Sequence, residues 1–271
     1  MWLTQENGQN YKHSFQTAQA LYEGKTSGHS VAVYETDTLG KTFVVDENIC
    51  FSELDAFAVA EMAIHVPMCS HKNPLDVALL SVTAPLAYEM LKYNNISTTW
   101  VEEDSELLDV QKKNFELYEE VFSALEQKKS SSIEYLRSVT DESLDVVVSQ
   151  SKVDSDFGAF VAHVGRSLRK DGLAVFELES NMMDIDVLKE PMQEIGKSFK
   201  IVMPFKVVAP SAIGGVKTFV LASKEYHPTA DFILQRADLI DGLKFYNCDV
   251  HPAAFAMPNY VRNELRGIAK N

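Results

Sequence analysis

The chain has 271 residues and a formal net charge of −14, from 25 lysines and arginines against 39 aspartates and glutamates. Its content of 46% hydrophobic and 24% charged residues is that of a globular protein and excludes an intrinsically disordered chain. The acidic balance argues against nucleic acid and anionic membranes as partners, because both are bound through basic surfaces, and the length predicts about two domains.

The first fifty residues have the pattern of short antiparallel strands. Apolar and β-branched residues at 31–34, 43–45 and 49–51 are separated by turn sequences. A β meander of this size is too small to bury a large core alone. We therefore predict a small N-terminal antiparallel β domain over residues 1–51, packed directly on a second domain at residues 52–271.

The spacing of apolar residues changes at Ser52. This serine and the acids behind it predict a helix start, and apolar residues recur at helical spacing as far as Pro67. Beyond this point strands and helices alternate. The predicted strands are 77–80, 98–102, 145–148, 173–178, 199–204 and 217–223, and the predicted helices are 84–93, 105–127, 156–170 and 184–197. This alternation predicts an α/β fold with a mainly parallel, doubly wound sheet covered by helices on both faces.

Acidic residues follow the second predicted strand of this sheet. Glu102 ends the strand, and Glu103 and Asp104 come next. Ligands of open α/β sheets bind beyond the carboxyl ends of the strands, where a carboxylate can accept hydrogen bonds from the ribose hydroxyls of a nucleoside. The alternative is that these acids occupy the first turn of the next helix, where negative charge is favourable.

The turn after the first predicted strand contains no glycine. Nucleotide-binding turns favour glycine, because it permits a tight turn and a close approach of the backbone to the ligand. In residues 81–85, Thr83 is instead a suitable N-cap and Pro85 falls in the first helical turn. The pattern is typical of an ordinary helix start.

The cysteines and the chain start indicate the compartment. Cys50, Cys69 and Cys248 lie far apart and form no CxxC pair, so we predict neither a disulfide framework nor a metal site. The N-terminus lacks the pattern of a signal peptide, and no apolar run reaches about 20 residues. We expect a cytoplasmic protein without a membrane partner.

Short motifs recur along the chain in a characteristic order. They are MWLT at 1–4, EMAIHVP at 61–67, NP at 73–74, WVEED at 100–104, LRKDG at 168–172, FVLASK at 219–224 and YNCDVHPAAFAMP at 246–258. Their order and spacing resemble the spermidine synthase (polyamine aminopropyltransferase) family over nearly the whole chain, and the last motif is the most specific.

The resemblance implies a fold and a reaction. The family has an N-terminal β domain on a methyltransferase-like, Rossmann-type domain. It transfers the aminopropyl group of decarboxylated S-adenosylmethionine to putrescine, which gives spermidine and methylthioadenosine. The resemblance therefore implies small-molecule substrates, no metal and no cofactor besides the co-substrate decarboxylated S-adenosylmethionine. Family members are usually dimers or tetramers, so a homodimer or homotetramer is expected.

For the nucleoside, the resemblance implies roles for Glu102 and Asp104 at the ribose. The acid that reads the adenine corresponds to Ser131, which becomes an expected nucleoside contact. The family's glycine-rich turn corresponds to residues 81–87, which are one residue shorter than that turn. This chain thus retains the ribose acids and departs from the family at the other two positions.

At the reacting centre, the family's strand-end acid corresponds to Gln150, so Gln150 and Ser151 are expected there. A carboxamide cannot act as a base near neutral pH, although its oxygen can orient an amine. His29 is a candidate replacement base because imidazole titrates near a pH of about 6.5, or it simply fills a polar position in the β domain. Asp55 and Asp154 are the expected amine ligands.

These departures leave two further hypotheses beside an active aminopropyltransferase. One is a catalytically inactive homologue that keeps the fold and acts as a binding or regulatory protein. The other is an enzyme of altered specificity with a less cationic acceptor, in agreement with Val59 and Ala209 at positions where the family has tyrosines. Two other histidines, His65 and His251, are expected to be structural.

Overall fold

The computed structural model describes residues 1–7, 11–152, 156–178 and 184–271. Within these ranges the strands are β1 Trp2–Asn7, β2 Tyr11–Lys25, β3 Ser30–Thr36, β4 Gly40–Val45, β5 Asn48–Ser52, β6 Asp76–Leu80, β7 Ser97–Glu102, β8 Glu126–Lys129, β9 Leu144–Ser149, β10 Leu168–Leu178, β11 Ile201–Val208 and β12 Val216–Ser223. The α-helices are α1 Ala56–Ser70, α2 Ala84–Glu89, α3 Ser105–Asn114, α4 Val121–Ala124, α5 Ser132–Ser138, α6 Phe157–Ser167, α7 Asp186–Ser198, α8 Leu234–Asp238, α9 Val250–Ala254 and α10 Asn259–Glu264. None of these helices has the length and apolar character that crossing a membrane requires.

Strands β1 to β5 form an antiparallel sheet in sequence order. Val33, Phe43 and Phe51 on this sheet belong to the same buried cluster as α1 and the strands of the second sheet. The first sheet therefore packs directly on the rest of the chain, and the predicted N-terminal antiparallel sheet is confirmed. Strand β5 ends at Ser52, close to the expected domain boundary. The division of the chain into domains at residues 51 and 52 stays a prediction.

The second sheet has the strand order β11-β12-β10-β9-β6-β7-β8. Strands β10, β9, β6, β7 and β8 run parallel to one another. At one edge, β12 runs antiparallel to its two neighbours, β10 and β11. Buried side chains alternate between the two faces: Val77 and Leu79 join one core cluster, and Ala78 and Leu80 join the other. The predicted α/β sheet with covered faces is confirmed.

The predicted long helix at 105–127 is wrong. Helix α3 ends at Asn114, and a 3-10 turn, the short α4 and the edge strand β8 follow. At Phe115 the backbone leaves the helical region, with φ of −126° and ψ of 79°, and the end of the predicted helix pairs with β7 as the edge strand β8.

Other helix ends also differ from the predictions. Helix α1 begins after Asp55, because Ser52 still pairs in the first sheet, and it continues through Pro67 to Ser70. Nearly the whole helix is buried, and this packing outweighs the local cost of an internal proline. Helix α6 ends at Ser167, because Leu168 already pairs with β9 as part of β10.

Candidate active site

A cavity of about 870 Å³ lies between the first sheet and the carboxyl ends of the parallel strands. The ends of parallel strands share one edge of a sheet, so side chains distant in sequence meet there. Six of the eight predicted site residues line this cavity: His29, Glu102, Asp104, Ser131, Gln150 and Ser151. The remaining two are Asp55, which lies elsewhere, and Asp154, which lies outside the described residues and whose role stays a prediction.

Glu102 and Asp104 form an acidic corner at the end of β7. The Asp104 N–H donates to Glu102 Oε1 at 3.0 Å, and Asp104 Oδ1 accepts from the Glu106 N–H at 3.1 Å as the N-cap of α3. Asp104 Oδ2 is buried and has no hydrogen-bond partner in the described part of the chain. Burial raises the pKa of Glu102. One carboxylate oxygen of Asp104 thus caps the helix, and the other accepts no hydrogen bond within the described residues.

A row of serine hydroxyls links the neighbouring strand ends. Ser81 Oγ lies 3.1 Å from Ser132 Oγ, which in turn lies 3.1 Å from Ser151 Oγ. The backbone of Ser81 has a φ of 52°, in the left-handed region that glycine adopts more readily. Ser131 Oγ accepts from the Glu134 N–H at 3.4 Å and so caps α5. Although the turn after β6 contains no glycine, its residue Ser81 thus has a backbone conformation that favours glycine.

Gln150 is held by the protein at both ends of its amide. Its Oε1 accepts from the Thr83 N–H at 2.8 Å and from the Thr83 hydroxyl at 3.2 Å, and its Nε2 donates to Glu177 Oε2 at 2.5 Å. A carbonyl oxygen has two lone pairs, and Thr83 occupies both. The structure thus leaves the Gln150 oxygen no lone pair with which to orient an amine, and the side chain positions Glu177 instead.

Glu177 and Lys217 are cavity residues that the sequence analysis missed. Lys217 Nζ lies 2.6 Å from Glu177 Oε1 and also donates to the Cys50 carbonyl at 3.4 Å. Burial alone would lower the pKa of Lys217, but the Glu177 carboxylate outweighs it and raises the pKa. The sequence did place Glu177 near the end of a predicted strand. It gave no signal that β12 would pair with β10 and bring Lys217 beside it.

His29 lies near the acidic corner. Its Nδ1 is 2.7 Å from Asp46 Oδ2, and Asp46 Oδ1 accepts from the Ser30 N–H at 3.0 Å. Burial raises the pKa of Asp46, but the hydrogen bonds from His29 and Ser30 outweigh it and lower the pKa. Asp46 is therefore an anionic acceptor that favours a proton on His29 Nδ1. A Cβ on the adjacent Gly28 would lie 3.9 Å from Asp104 Oδ2, so this loop approaches the acidic corner.

Asp55, an expected amine ligand, has a structural role instead. Its Oδ1 accepts from the hydroxyls of Ser52 at 2.8 Å and Ser211 at 2.9 Å, and its Oδ2 accepts from the Ser211 N–H at 2.7 Å. The side chain is buried and does not line the cavity. These bonds join the start of α1 to the loop before β12.

The same loop is also tied to the first sheet. Gln5 Nε2 donates to the Ser211 carbonyl at 2.8 Å, and Gln5 Oε1 accepts from the Ile49 N–H at 2.9 Å. Gln5, Asp55 and Ser211 are all buried. They form a polar junction that fixes the two sheets bordering the cavity relative to one another.

Outside the cavity, potential ligand atoms of His71, Asp145 and Asp171 lie within 4.8 Å of one another. The Asp145 carboxylate already accepts two backbone amides and pairs with Arg169 at 2.8 Å. His71 Nδ1 accepts from the Asn73 N–H at 3.1 Å, so the neutral ring carries its proton on Nε2, the nitrogen that faces Asp171 at 3.8 Å. The arrangement fits a structural junction better than a cation site.

The sequence model of the spermine/spermidine synthase domain matches residues 56–232. The chain belongs to the spermine/spermidine synthase family. It is 28% identical to a polyamine aminopropyltransferase of Clostridium beijerinckii, with 99% of each chain covered. It is 29% identical to the polyamine aminopropyltransferase of Agathobacter rectalis, with 98% of this chain and 97% of the relative covered.

Solved spermidine synthase structures have the same fold. A spermidine synthase in complex with the transition state analogue AdoDATO superimposes with a TM-score of 0.92 at 26% identity, over 98% of this chain and 95% of that one. The spermidine synthase of Thermotoga maritima gives a TM-score of 0.92 at 26% identity, over 98% and 94%. The resemblance and the fold expected from the sequence are confirmed.

Two of the family motifs contact each other in the core. Glu61, in the motif at 61–67, accepts the backbone N–H groups of Lys244, Phe245 and Tyr246 at 2.8–2.9 Å. Tyr246 belongs to the C-terminal motif and bonds His251 Nδ1 at 2.7 Å. These motifs therefore specify the framework of the spermine/spermidine synthase fold, and His251 is structural, as predicted.

Proposed function

We propose that this chain is a polyamine aminopropyltransferase that transfers the aminopropyl group of decarboxylated S-adenosylmethionine to putrescine, giving spermidine and methylthioadenosine. Family membership supports the reaction class. The single observation that carries the proposal is the acidic corner, where the buried Asp104 Oδ2 lacks a partner among the described residues, beside Glu102 in the cavity. A buried acceptor without a donor is unfavourable in the ligand-free protein and becomes favourable when a ligand supplies the donor.

The corner suits the ribose of the donor nucleoside. Ionised carboxylates are acceptors only, and two vicinal hydroxyls are two donors. Each charge-assisted hydrogen bond of this kind contributes roughly 1.5–3 kcal/mol. In the proposal Glu102 and Asp104 take the ribose, and Ser131, which also lines the cavity, contacts the nucleoside beside them.

The transfer step is a substitution at carbon. The neutral amine nitrogen attacks the carbon attached to the sulfonium, the N–C bond forms as the C–S bond breaks, and methylthioadenosine leaves with the electron pair. The nitrogen then loses a proton to a base. Oxidation states are balanced between reactants and products, so the proposal includes no redox cofactor, and it assigns no metal.

Glu177 is the proposed carboxylate ligand of the amine substrate at the reacting end. It lines the cavity next to Gln150, the position that corresponds to the family's strand-end acid, and Gln150 donates to it. Gln150 then acts as a positioning residue, and Ser151 forms the adjoining wall. His29, at the other end, remains the proposed base for the released proton.

The proposal also covers assembly and location. We propose a homodimer or homotetramer, in the cytoplasm, with small molecules as its remaining partners and no nucleic acid or membrane partner. Light scattering on the purified chain measures its mass directly. A monomer at micromolar concentration would contradict the proposed assembly and leave the reaction untouched.

The proposed reaction is tested by calorimetric titration with methylthioadenosine and with decarboxylated S-adenosylmethionine, followed by mass spectrometry of a mixture with putrescine. Micromolar binding and formation of spermidine support it. Absence of heat for both nucleosides with folded protein would contradict it. Nucleoside binding without product would favour the second candidate, a catalytically inactive homologue, for which the occupied lone pairs of Gln150 are the specific observation.

A further inference from the structure

The reacting end of the cavity contains a primary amine that belongs to the protein. Lys217 Nζ pairs with Glu177 Oε1 at 2.6 Å, and the side chains of Lys217 and Glu177 are only 15% and 19% exposed. Both line the cavity beside Gln150. An ammonium at this depth is held in place by its carboxylate and is weakly screened by salt.

This pair changes what an incoming substrate meets. Gln150 is neutral, and the Glu177 carboxylate is already neutralised by Lys217. Of the other acids that line the cavity in the described ranges, Glu102, Glu103 and Asp104 lie at the nucleoside end, and Asp156 precedes α6. The distal ammonium of a diamine therefore competes with a tethered ammonium for Glu177.

We propose that Lys217 is a specificity-determining residue, which weakens the binding of doubly charged amines and favours acceptors whose far end is uncharged, the class of primary monoamines. The proposal rests on the proposed aminopropyl transfer, in which putrescine remains an acceptor that binds weakly. Like charges in one poorly solvated site repel, whereas an alkyl end gains by contact with the aliphatic stem of Lys217. Discrimination thus comes from a repulsive element inside the pocket.

Calorimetric titrations of putrescine and butylamine, which differ by one terminal ammonium, test this with the whole chain. Replacement Lys217→Met removes the charge and keeps the stem length. We expect putrescine to bind at least tenfold more tightly and butylamine to change less than threefold. Lys217→Arg should retain the discrimination of the unmodified chain. Lys217→Met combined with Glu177→Gln should lose the gain, because the carboxylate that binds the distal ammonium is gone.

Lys152→Met is the matched control, since Lys152 also lines the cavity but is exposed. Circular dichroism confirms folding of each variant, and Lys217→Gln replaces Lys217→Met if the latter does not fold. An unchanged putrescine affinity, or an equal change for both amines, would overturn the proposal. Titration with methylthioadenosine and product detection run in parallel. If the proposed transfer reaction is wrong, only these two measurements fail, because direct amine binding needs no turnover.

Discussion

The two ends of the cavity differ in how far the protein uses its own polar groups. At the proposed nucleoside end, Asp104 keeps one buried oxygen without a partner among the described residues. At the proposed reacting end, Gln150, Glu177 and Lys217 satisfy one another and Thr83. The first end is organised to receive hydrogen-bond donors, whereas the second already contains its own counter-ion.

This difference predicts which substitutions mainly change ligand affinity and which mainly change the stability of the fold. A buried acceptor without a donor opposes folding by roughly 1–3 kcal/mol, while a satisfied network contributes to folding and loses that contribution when one member is removed. Substitutions at the nucleoside end should therefore affect ligand affinity more than stability. Substitutions in the networks behind the reacting end should do the reverse.

The largest effect on stability is expected for Asp55→Ala, behind the reacting end. The change leaves the Ser211 N–H and two buried hydroxyls without their acceptor, so the free energy of unfolding should fall by about 3 kcal/mol. Urea denaturation measures it, with the exposed Asp37→Ala as control. Full stability with a weakened amine affinity would restore the role of amine ligand that the sequence indicated.

Asp104→Ala tests the proposed nucleoside end of the cavity. Loss of the acceptor oxygens should weaken methylthioadenosine binding about 100-fold, since one charge-assisted hydrogen bond contributes roughly 1.5–3 kcal/mol. Calorimetry measures the affinity, and Asp109→Ala, on an exposed position of the same helix, controls for general effects on α3. If both variants bind equally well, the acidic corner does not hold the ribose.

Gln150→Glu replaces a hydrogen-bond donor to Glu177 with a second carboxylate, so an attractive contact becomes a repulsive one. The new carboxyl would face Glu177, and repulsion between two carboxylates raises the pKa of one of them in the folded state. The folded protein then binds more protons than the unfolded chain, so stability is lost as the pH rises through this pKa. We expect a loss of about 2 kcal/mol at pH 7 that recovers on acidification. Gln150→Met, a neutral control, should show a loss independent of pH.

The raised pKa of Glu102 predicts how nucleoside affinity depends on pH. Burial of the carboxyl means that it gains its proton at a pH above the ordinary value of 4.5. Methylthioadenosine should therefore bind more weakly as the pH falls, with a loss of about tenfold one unit below that pKa. Glu102→Gln should remove the dependence. An affinity that stays constant down to pH 4.5 would contradict a role for the ionised form.

Ser81→Gly should have the smallest effect. Because φ is 52° at this position, glycine relieves backbone strain, and the free energy of unfolding should rise by up to about 1 kcal/mol. Ser81→Ala removes the hydroxyl while keeping the strain, so the difference between the two variants isolates the backbone contribution. Thermal denaturation measures both. Equal stability of the two variants would show that the strain is negligible.

Much of the fold could be predicted because it depends on local patterns. The apolar strand at 77–80 and the acids at 102–104 were located from periodicity and turn chemistry, and the structure has them at β6 and after β7. The long helix at 105–127 failed because residues 126–129 pair with β7 as an edge strand, which the helical period does not record. Tertiary packing decided the outcome there.

The candidate site was predicted less completely than the fold. Four of the six cavity residues were found because they follow predicted strands, whereas Ser131 came from the family resemblance and His29 from the chemistry of its imidazole. Lys217 was missed because its place beside Glu177 depends on antiparallel pairing between distant strands, in which Glu177 lies opposite Phe219. The role of Gln150 also depended on Thr83, whose amide and hydroxyl both point at it. Residue types alone carried neither fact.

The buried junction of Gln5, Asp55 and Ser211 determines how the molecule can open. Separating the first sheet from the loop before β12 would break the hydrogen bonds that Gln5 and Asp55 make to Ser211, so these bonds oppose such an opening. The amides of Ile49 and Ser211 should therefore exchange with deuterium at similar, slow rates. We therefore expect ligands to enter the cavity without separation of the two sheets.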